Sequence, residues 1–349
     1  MDFTPTILSW YSLNKRNLPW RNTTDPFKIW LSEVILQQTR VAQGMDYYHA
    51  FTKRFRKINE LAKAKEDEVL KLWQGLGYYS RARNLHHTAK IIATQYKGRF
   101  PDTYEKILQL KGIGPYTAAA IASFAFGECK SVVDGNVSRV LSRYFGVKDA
   151  IDSPAGKKII MQLAEECIDK KRPALFNQSI MEFGALQCVP KNPDCGNCVL
   201  KNSCYAFAKK MQHSLPVKAK KTAIKNIYPV YFFIQHNQHF YLRKRTGNDI
   251  WKGLYELPNT EVQNIPVKKE IPAIIRKSGF FKENNISFSS FSKTYKHLLS
   301  HRNIFAVFVT MHAQKGYKPV KEWVKSPLGK DPVKPVPRLI DIFLTEMKK

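Results

Sequence analysis

The stretch Leu110–Gly127, LKGIGPYTAAAIASFAFG, decides how the chain is read. Gly112 and Gly114 allow a tight hairpin, Pro115 suits the first position of a helix, and the small residues that follow permit close packing. A Gly-x-Gly hairpin that opens a helix exposes backbone N–H groups where the helix dipole favours an anion. The pattern therefore predicts a helix-hairpin-helix that grips phosphate without reading base sequence. Taken alone, an ordinary helical turn accounts for it equally well.

The composition around it favours phosphate. Lys and Arg number 57 against 28 Asp and Glu in 349 residues, a formal charge of +29, which points to a polyanionic partner. Nucleic acid is preferred over a membrane surface, because no apolar run approaches the roughly 18 residues needed to span a bilayer and no basic amphipathic helix stands alone. The first twenty residues lack the apolar core of a signal peptide, so an intracellular chain in cytoplasm or nucleoid, with reduced cysteines, is expected.

Outward from the hairpin, residues 1–208 read as successive helices with apolar residues at spacings of three and four, as in VLKLWQGLGYYSRARNLHHTAKIIATQY. A lysine-rich, acid-free segment at 209–226 reads as a linker, and 227–349 as a second domain. In that domain YPVYFFIQH, QHFYLRKR and NIFAVFVTMH carry strand-like alternation. The placement of the C-terminal segment IDIFLTEM is left open. The expected fold is a mainly α N-terminal part followed by an α+β domain.

Two carboxylates and four thiols carry the chemistry. In WLSEVILQQT, Glu33 lies well inside a helix begun by Asp25-Pro26, and its helical neighbours Ile29, Trp30, Leu36 and Gln37 cannot neutralise it. An acid so placed is a candidate for a raised pKa, although an isolated Glu more often reaches water or an arginine. In SVVDGNVSRV, Asp134 is a natural N-cap, and backbone N–H groups should hold its pKa low. Two carboxylates with separated pKa values suit acid catalysis through a cationic intermediate. Cys188, Cys195, Cys198 and Cys204, with gaps of six, two and five residues, form a loop suited to a metal. Zinc and an iron-sulfur cluster both accept four thiolates, and spacing does not choose between them.

Together with LPWR at 18–21, GLGYYSRARNL at 75–85 and the C-terminal strand region, these motifs resemble the helix-hairpin-helix DNA glycosylases of the endonuclease III superfamily, in particular its adenine-specific branch. The resemblance implies a six-helix barrel, a helical module holding a [4Fe-4S] cluster on the four cysteines, and a Nudix-like C-terminal domain. It implies a monomeric, monofunctional enzyme that acts on double-stranded DNA and removes adenine opposite 8-oxoguanine or guanine. Glu33 would protonate the flipped adenine, Asp134 stabilise the cation, and Asn136 and Tyr116 complete the catalytic set. Arg16, Trp20, Arg21 and Gln178 would shape the base pocket. Gln38 and Tyr78 would fill the emptied stack, Gly112 and Gly114 hold the backbone, and Ser300 and His301 read the opposite base. Tyr116 stands where bifunctional relatives carry a lysine that attacks the sugar. The family's recognition loop reads Phe-Ser-His, whereas this chain has Leu299-Ser300-His301, and a leucine cannot stack on a base. WKGLYELP matches an early strand of the Nudix-like domain, but no glutamate-rich Nudix box follows, so pyrophosphate hydrolysis is not expected. The alternatives are a thymine-mismatch glycosylase, which shares the barrel and cluster, and a non-catalytic lesion sensor on the same scaffold. Glu33 with Asp134 speaks against the sensor.

Overall fold

A computed structural model describes residues 3–219, 224–281, 285–299 and 301–348. Two compact units make up the chain: Met1–Lys63 with Asn84–Lys221, and Ala64–Arg83 with Thr222–Lys349.

The helices run α1 (Phe3–Asn14), α2 (Pro26–Leu36), α3 (Val41–Arg54), α4 (Ile58–Lys63), α5 (Glu66–Leu72), α6 (Ser80–Gln95), α7 (Tyr104–Leu108), α8 (Pro115–Phe126), α9 (Gly135–Phe145), α10 (Pro154–Cys167), α11 (Pro173–Leu186) and α12 (Tyr205–Ala208). Local chemistry starts the helices that matter. Asp25 Oδ1 accepts from the Phe27 N–H at 2.9 Å, and Asp134 Oδ1 accepts from the Asn136 and Val137 N–H groups at 2.8 Å each. Each satisfies donors that a helix start leaves orphaned, an effect of roughly 0.5–2 kcal/mol.

In the first unit the apolar faces of α1, α9 and α11 close one core. Phe3, Ile7 and Trp10 meet Val137, Val140 and Leu141, with Phe176, Ile180 and Phe183 from α11. Each such side chain contributes about 1.5–3 kcal/mol on full burial. The close approach of α11 to α9 requires Gly184, where a Cβ would stand 2.7 Å from the Asn136 Cβ. The hairpin before α8 depends on Gly112 at φ +79°, where a Cβ would also strike the Asn84 side chain at 2.5 Å. Gly114 has φ −93° and open space beside it, so its conformation does not demand glycine.

The second unit holds a mixed sheet with strand order β3-β2-β1-β7-β5. The strands are β1 (Lys225–His236), β2 (His239–Lys244), β3 (Tyr255–Glu256), β4 (Asn259–Val262), β5 (Ile286–Phe291), β6 (Tyr295–Leu298), β7 (Arg302–Ala313) and β8 (Val324–Pro327). β1 and β7 run parallel with Val230 opposite Val307; the other pairings are antiparallel. With helices α13 (Ile271–Lys277) and α14 (Arg338–Glu346), the unit is α+β, as expected. Val230 through Gln235 does not alternate in exposure as a half-solvated strand would: Val230–Ile234 are all buried. Val230, Phe232 and Ile234 pack with Ile271 of α13, while Phe233 and Phe308 pack on Phe343 of α14. IDIFLTEM, unplaced by sequence, thus covers one face of the sheet. β1 begins at Lys225, inside the segment read as linker.

The second unit also takes in 64–83. Asp67 of α5 accepts from Lys334 Nζ at 2.7 Å and from Lys244 Nζ and the Tyr255 hydroxyl at 3.3 Å each. Lys71 donates to the Pro332 carbonyl at 2.8 Å, and Gln74 donates to Asp341 at 3.0 Å. Among the described residues no helix is long and apolar enough to cross a membrane.

Candidate active site

In the first unit, α2, α8, α9 and α11 contribute side chains to one cleft of about 830 Å³. Glu33, Tyr116, Asp134 and Asn136 line it, and so do Arg16, Trp20, Arg21, Gln38 and Gln178. Residues scattered over 160 positions of sequence therefore meet at one surface.

Glu33 sits among the buried residues of α2 and is itself only 7% exposed. Burial pushes its carboxyl up to about 7; a bond from the Tyr116 hydroxyl opposes the shift, the Asp134 charge adds to it, and Arg21 opposes it. The Tyr116 phenol is itself driven well above its ordinary value, by burial first and then by the charges of Glu33 and Asp134, so it stays a donor. Helix α8 places this tyrosine at its second residue, directly after the hairpin. A carboxyl held half-protonated near neutrality, beside a fixed hydroxyl donor, can deliver a proton to a base in the cleft.

Asp134 departs from expectation. Its carboxylate accepts from two backbone N–H groups, and its Oδ2 from Asn136 Nδ2 at 2.7 Å, yet its pKa is raised. Burial, the largest cause, outweighs the hydrogen bonds that pull it down. The three bonds still fix its position and direct its charge. Asn136 is held in turn by Arg139, whose Nη2 donates to Asn136 Oδ1 at 2.9 Å and to the Gly184 carbonyl at 2.7 Å. Arg139 Nε reaches the Cys188 carbonyl at 2.8 Å. Asp134 is thereby connected through two side chains to the cysteine loop.

Trp20 is buried against Tyr48, with ring centroids 5.1 Å apart, and still presents to the cleft. Gln38 follows the end of α2 at φ +56°, an uncommon backbone conformation for a residue other than glycine. Gln178 Oε1 accepts from the Tyr11 hydroxyl at 3.1 Å. Glu182 lines the cleft one helical turn beyond Gln178, bound to both Arg16 and Arg21, and the sequence reading did not single it out. The test applied to Glu33 would have found it in FNQSIMEFGAL, since its helical neighbours Gln178, Ser179, Ala185 and Leu186 cannot neutralise an acid.

Tyr78 and His301 belong to the second unit and are absent from this cleft. Tyr78 is 44% exposed at φ +49°, within a turn where Gly75 and Gly77 also have positive φ. Leu299 and His301 stand at the turn between the antiparallel strands β6 and β7, where the Leu299 N–H donates to the Arg302 carbonyl at 2.8 Å. Ser300 lies outside the described residues.

The four cysteines are free thiols that line a single small cavity together with Arg143. Burial pushes the Cys198 thiol up to about 11, and the other three cysteines of the set add to the shift. Arg143, itself buried, approaches Cys188 Sγ at 3.4 Å and donates to the Val189 carbonyl at 2.8 Å. Among the described residues no three His, Cys, Asp or Glu side chains group tightly enough for a single metal ion. By chemistry alone, four cysteine sulfurs lining one cavity are a donor set that zinc or an iron-sulfur cluster accepts.

A hairpin leads into α8, and the cleft beyond it holds an acid of raised pKa and a capped aspartate. Residues 31–170 match the family described as HhH-GPD superfamily base excision DNA repair protein. The chain is 34% identical over 349 residues to the adenine DNA glycosylase of Buchnera aphidicola subsp. Schizaphis graminum, covering 98% of each. It is 40% identical over 222 residues to that of Homo sapiens, covering 61% of this chain and 41% of the human one. A thermostable thymine-DNA glycosylase superposes with a TM-score of 0.56 at 32% identity, over 59% of this chain and 95% of the other. Endonuclease III in a non-covalent DNA complex shares the fold, with a TM-score of 0.51 at 21% identity over 59% and 95%. This chain belongs to the adenine DNA glycosylase family of base-excision repair enzymes.

Proposed function

We propose that the chain excises adenine paired with 8-oxoguanine or guanine in duplex DNA, by acid-assisted hydrolysis of the N-glycosidic bond, and leaves the strand unbroken. The observation that carries the reading is Glu33, whose carboxyl titrates at about 7 in a cleft it shares with Asp134.

Duplex DNA is gathered by the +29 charge, and the backbone N–H groups at the start of α8 suit a phosphate. The adenine must leave the stack to reach the cleft, at a cost of a few kcal/mol. Glu33 then gives its proton to adenine N7, the C1′–N9 bond breaks with its electron pair leaving on the base, and C1′ becomes an oxocarbenium ion. The carboxylate of Asp134 stabilises that cation from a position its three hydrogen bonds fix beforehand. Water adds to C1′ and its proton returns to the Glu33 carboxylate. Cys188, Cys195, Cys198 and Cys204 would hold a [4Fe-4S] cluster, which supplies a fixed crosslink for their loop.

In the second unit the β6–β7 turn, with Leu299 and His301, is the element we assign to the base opposite adenine, and Ser300 joins that assignment on sequence alone. Single-turnover base release from duplexes carrying A, T or U opposite 8-oxoguanine and G tests the assignment: adenine alone should be released, fastest opposite 8-oxoguanine. Release of thymine would support the thymine-mismatch alternative. Because Tyr116 cannot form an imine, the product strand should stay intact until alkali or heat is added, and borohydride should trap little covalent complex. Strand cleavage as fast as base release, without alkali, would overturn the monofunctional assignment. The purified protein is expected to be yellow-brown with about four irons per chain. Stoichiometric zinc in protein made with ample iron would count against the cluster.

A further inference from the structure

Glu182 is the one acid of the cleft that no step above uses. Its side chain is wholly buried and takes five hydrogen bonds from two arginines. Oε1 accepts from the Arg16 backbone N–H and Nε at 2.9 Å each and from Arg21 Nη1 at 2.8 Å. Oε2 accepts from Arg16 Nη2 at 2.6 Å and Arg21 Nη2 at 2.8 Å. Burial alone would raise this carboxyl, but the bonds from Arg16 and Arg21 overcome it and hold it at about 2, so it stays an anion at every physiological pH. Two guanidinium planes are thereby locked on one carboxylate, and bidentate pairing of this kind fixes orientation as well as charge.

That geometry has two consequences for the cleft. Arg16 and Arg21 both line it, so Glu182 sets the direction in which they face a bound base. Arg21 is also near enough to Glu33 for its charge to favour the ionised acid. Without Glu182 the charge that Arg21 directs at Glu33 would be uncompensated. The other groups facing Glu33 are Tyr116 of α8 and Asp134 at the start of α9, and Arg40, which precedes α3, lines the same cleft.

We propose that Glu182 is a positioning residue for base excision: it clamps Arg16 and Arg21 as an oriented pair for the flipped purine and screens Arg21 from Glu33, which preserves the proton Glu33 must donate. The proposal rests on the adenine-releasing reading above.

The test is the pH dependence of single-turnover adenine release by the full chain. Wild-type release is the control, and its absence would sink the excision reading itself, separately from this one. In Glu182→Gln one neutral carbonyl oxygen remains to accept where two carboxylate oxygens accepted five bonds. Its alkaline limb should move down by about one pH unit, so that release above neutrality falls about tenfold further than at acid pH. Glu182→Asp, which keeps the charge, should retain the wild-type limb despite a lower rate. A purely structural role would lower the rate equally at all pH values and leave the limb in place, and that result would overturn the proposal. Should Glu182→Gln fail to fold, Arg21→Gln carries the test in the opposite direction: removing the cation should move the limb up, and an unmoved limb would overturn the screening.

Discussion

Glu33→Gln is expected to abolish adenine release while leaving duplex binding near wild type. Gln matches Glu in shape and can still accept from the Tyr116 hydroxyl, but it has no proton to give. The loss should be at least the roughly 10²–10⁴ attributed to general acid catalysis, and substantial release by this variant would remove Glu33 from the mechanism. In the proposed mechanism the same residue should set the pH profile of the wild-type enzyme. Its carboxyl titrates at about 7, so release should fall about tenfold per pH unit above that value, where the proton is lost. Stability should respond with a definite sign. The folded state holds this proton up to about 7, whereas an unburied glutamate releases it near 4.5, so between those values the unfolded chain binds fewer protons and stability falls as pH rises. Above 7 the full cost of burying the carboxylate applies, on the order of 3 kcal/mol. Glu33→Gln removes the cost, and should therefore melt higher than wild type at pH 8 and differ less at pH 5. A variant that loses activity yet gains stability is what a functional group held against its preference should give. Lower stability at pH 8 would mean that Glu33 is placed for packing instead.

Much of this site could be read from local chemistry. Asp25 and Asp134 announce helix starts because a cap bonds within three residues of itself, and Gly112 announces a hairpin because its φ is a local property. Glu33 was legible as an anomaly, since a helix declares its own neighbours. What could not be read lies between elements far apart in sequence. Glu182 finds Arg16 and Arg21 more than 160 residues upstream, and no spacing rule reaches that far. Segment 64–83 looks like one more helix of the N-terminal series, yet Asp67 and Gln74 bond to Lys334 and Asp341, whose positions no local pattern records. The alternation read into β1 does not appear in its exposure, because α13 covers one of its faces and α14 the other. The expected low pKa of Asp134 failed for a related reason: the cap is local and visible, but the burial that overrides it comes from the whole cleft.

Arg139→Met should damage stability, metal content and catalysis together. Arg139 is 8% exposed, and its guanidinium is shared among the Gly135, Gly184 and Cys188 carbonyls and Asn136 Oδ1, at 3.3, 2.7, 2.8 and 2.9 Å. Met keeps the apolar stem and removes every donor. Unsatisfied buried acceptors cost about 1–3 kcal/mol each, and water that enters will relieve some of them, so a loss of roughly 3–5 kcal/mol is expected. For a unit of this size that is a fall in Tm of roughly 10 °C. Lys would not rescue the variant, because one ammonium cannot span four acceptors on three elements. Two further losses follow from where those acceptors lie. Freed of Arg139, Asn136 no longer presents Nδ2 to Asp134 in a fixed orientation, and a displacement of about 1 Å at a catalytic group can cost about 10² in rate. Freed at its carbonyl, Cys188 loses one of the contacts that hold the first sulfur of the set, so the variant should contain less iron as isolated. Measuring both on protein that remains folded at 10 °C separates them from global unfolding. If folded Arg139→Met releases adenine at the wild-type rate, Asp134 is held by its own helix alone; if the rate falls while iron stays full, the arginine serves the aspartate and not the cysteine loop.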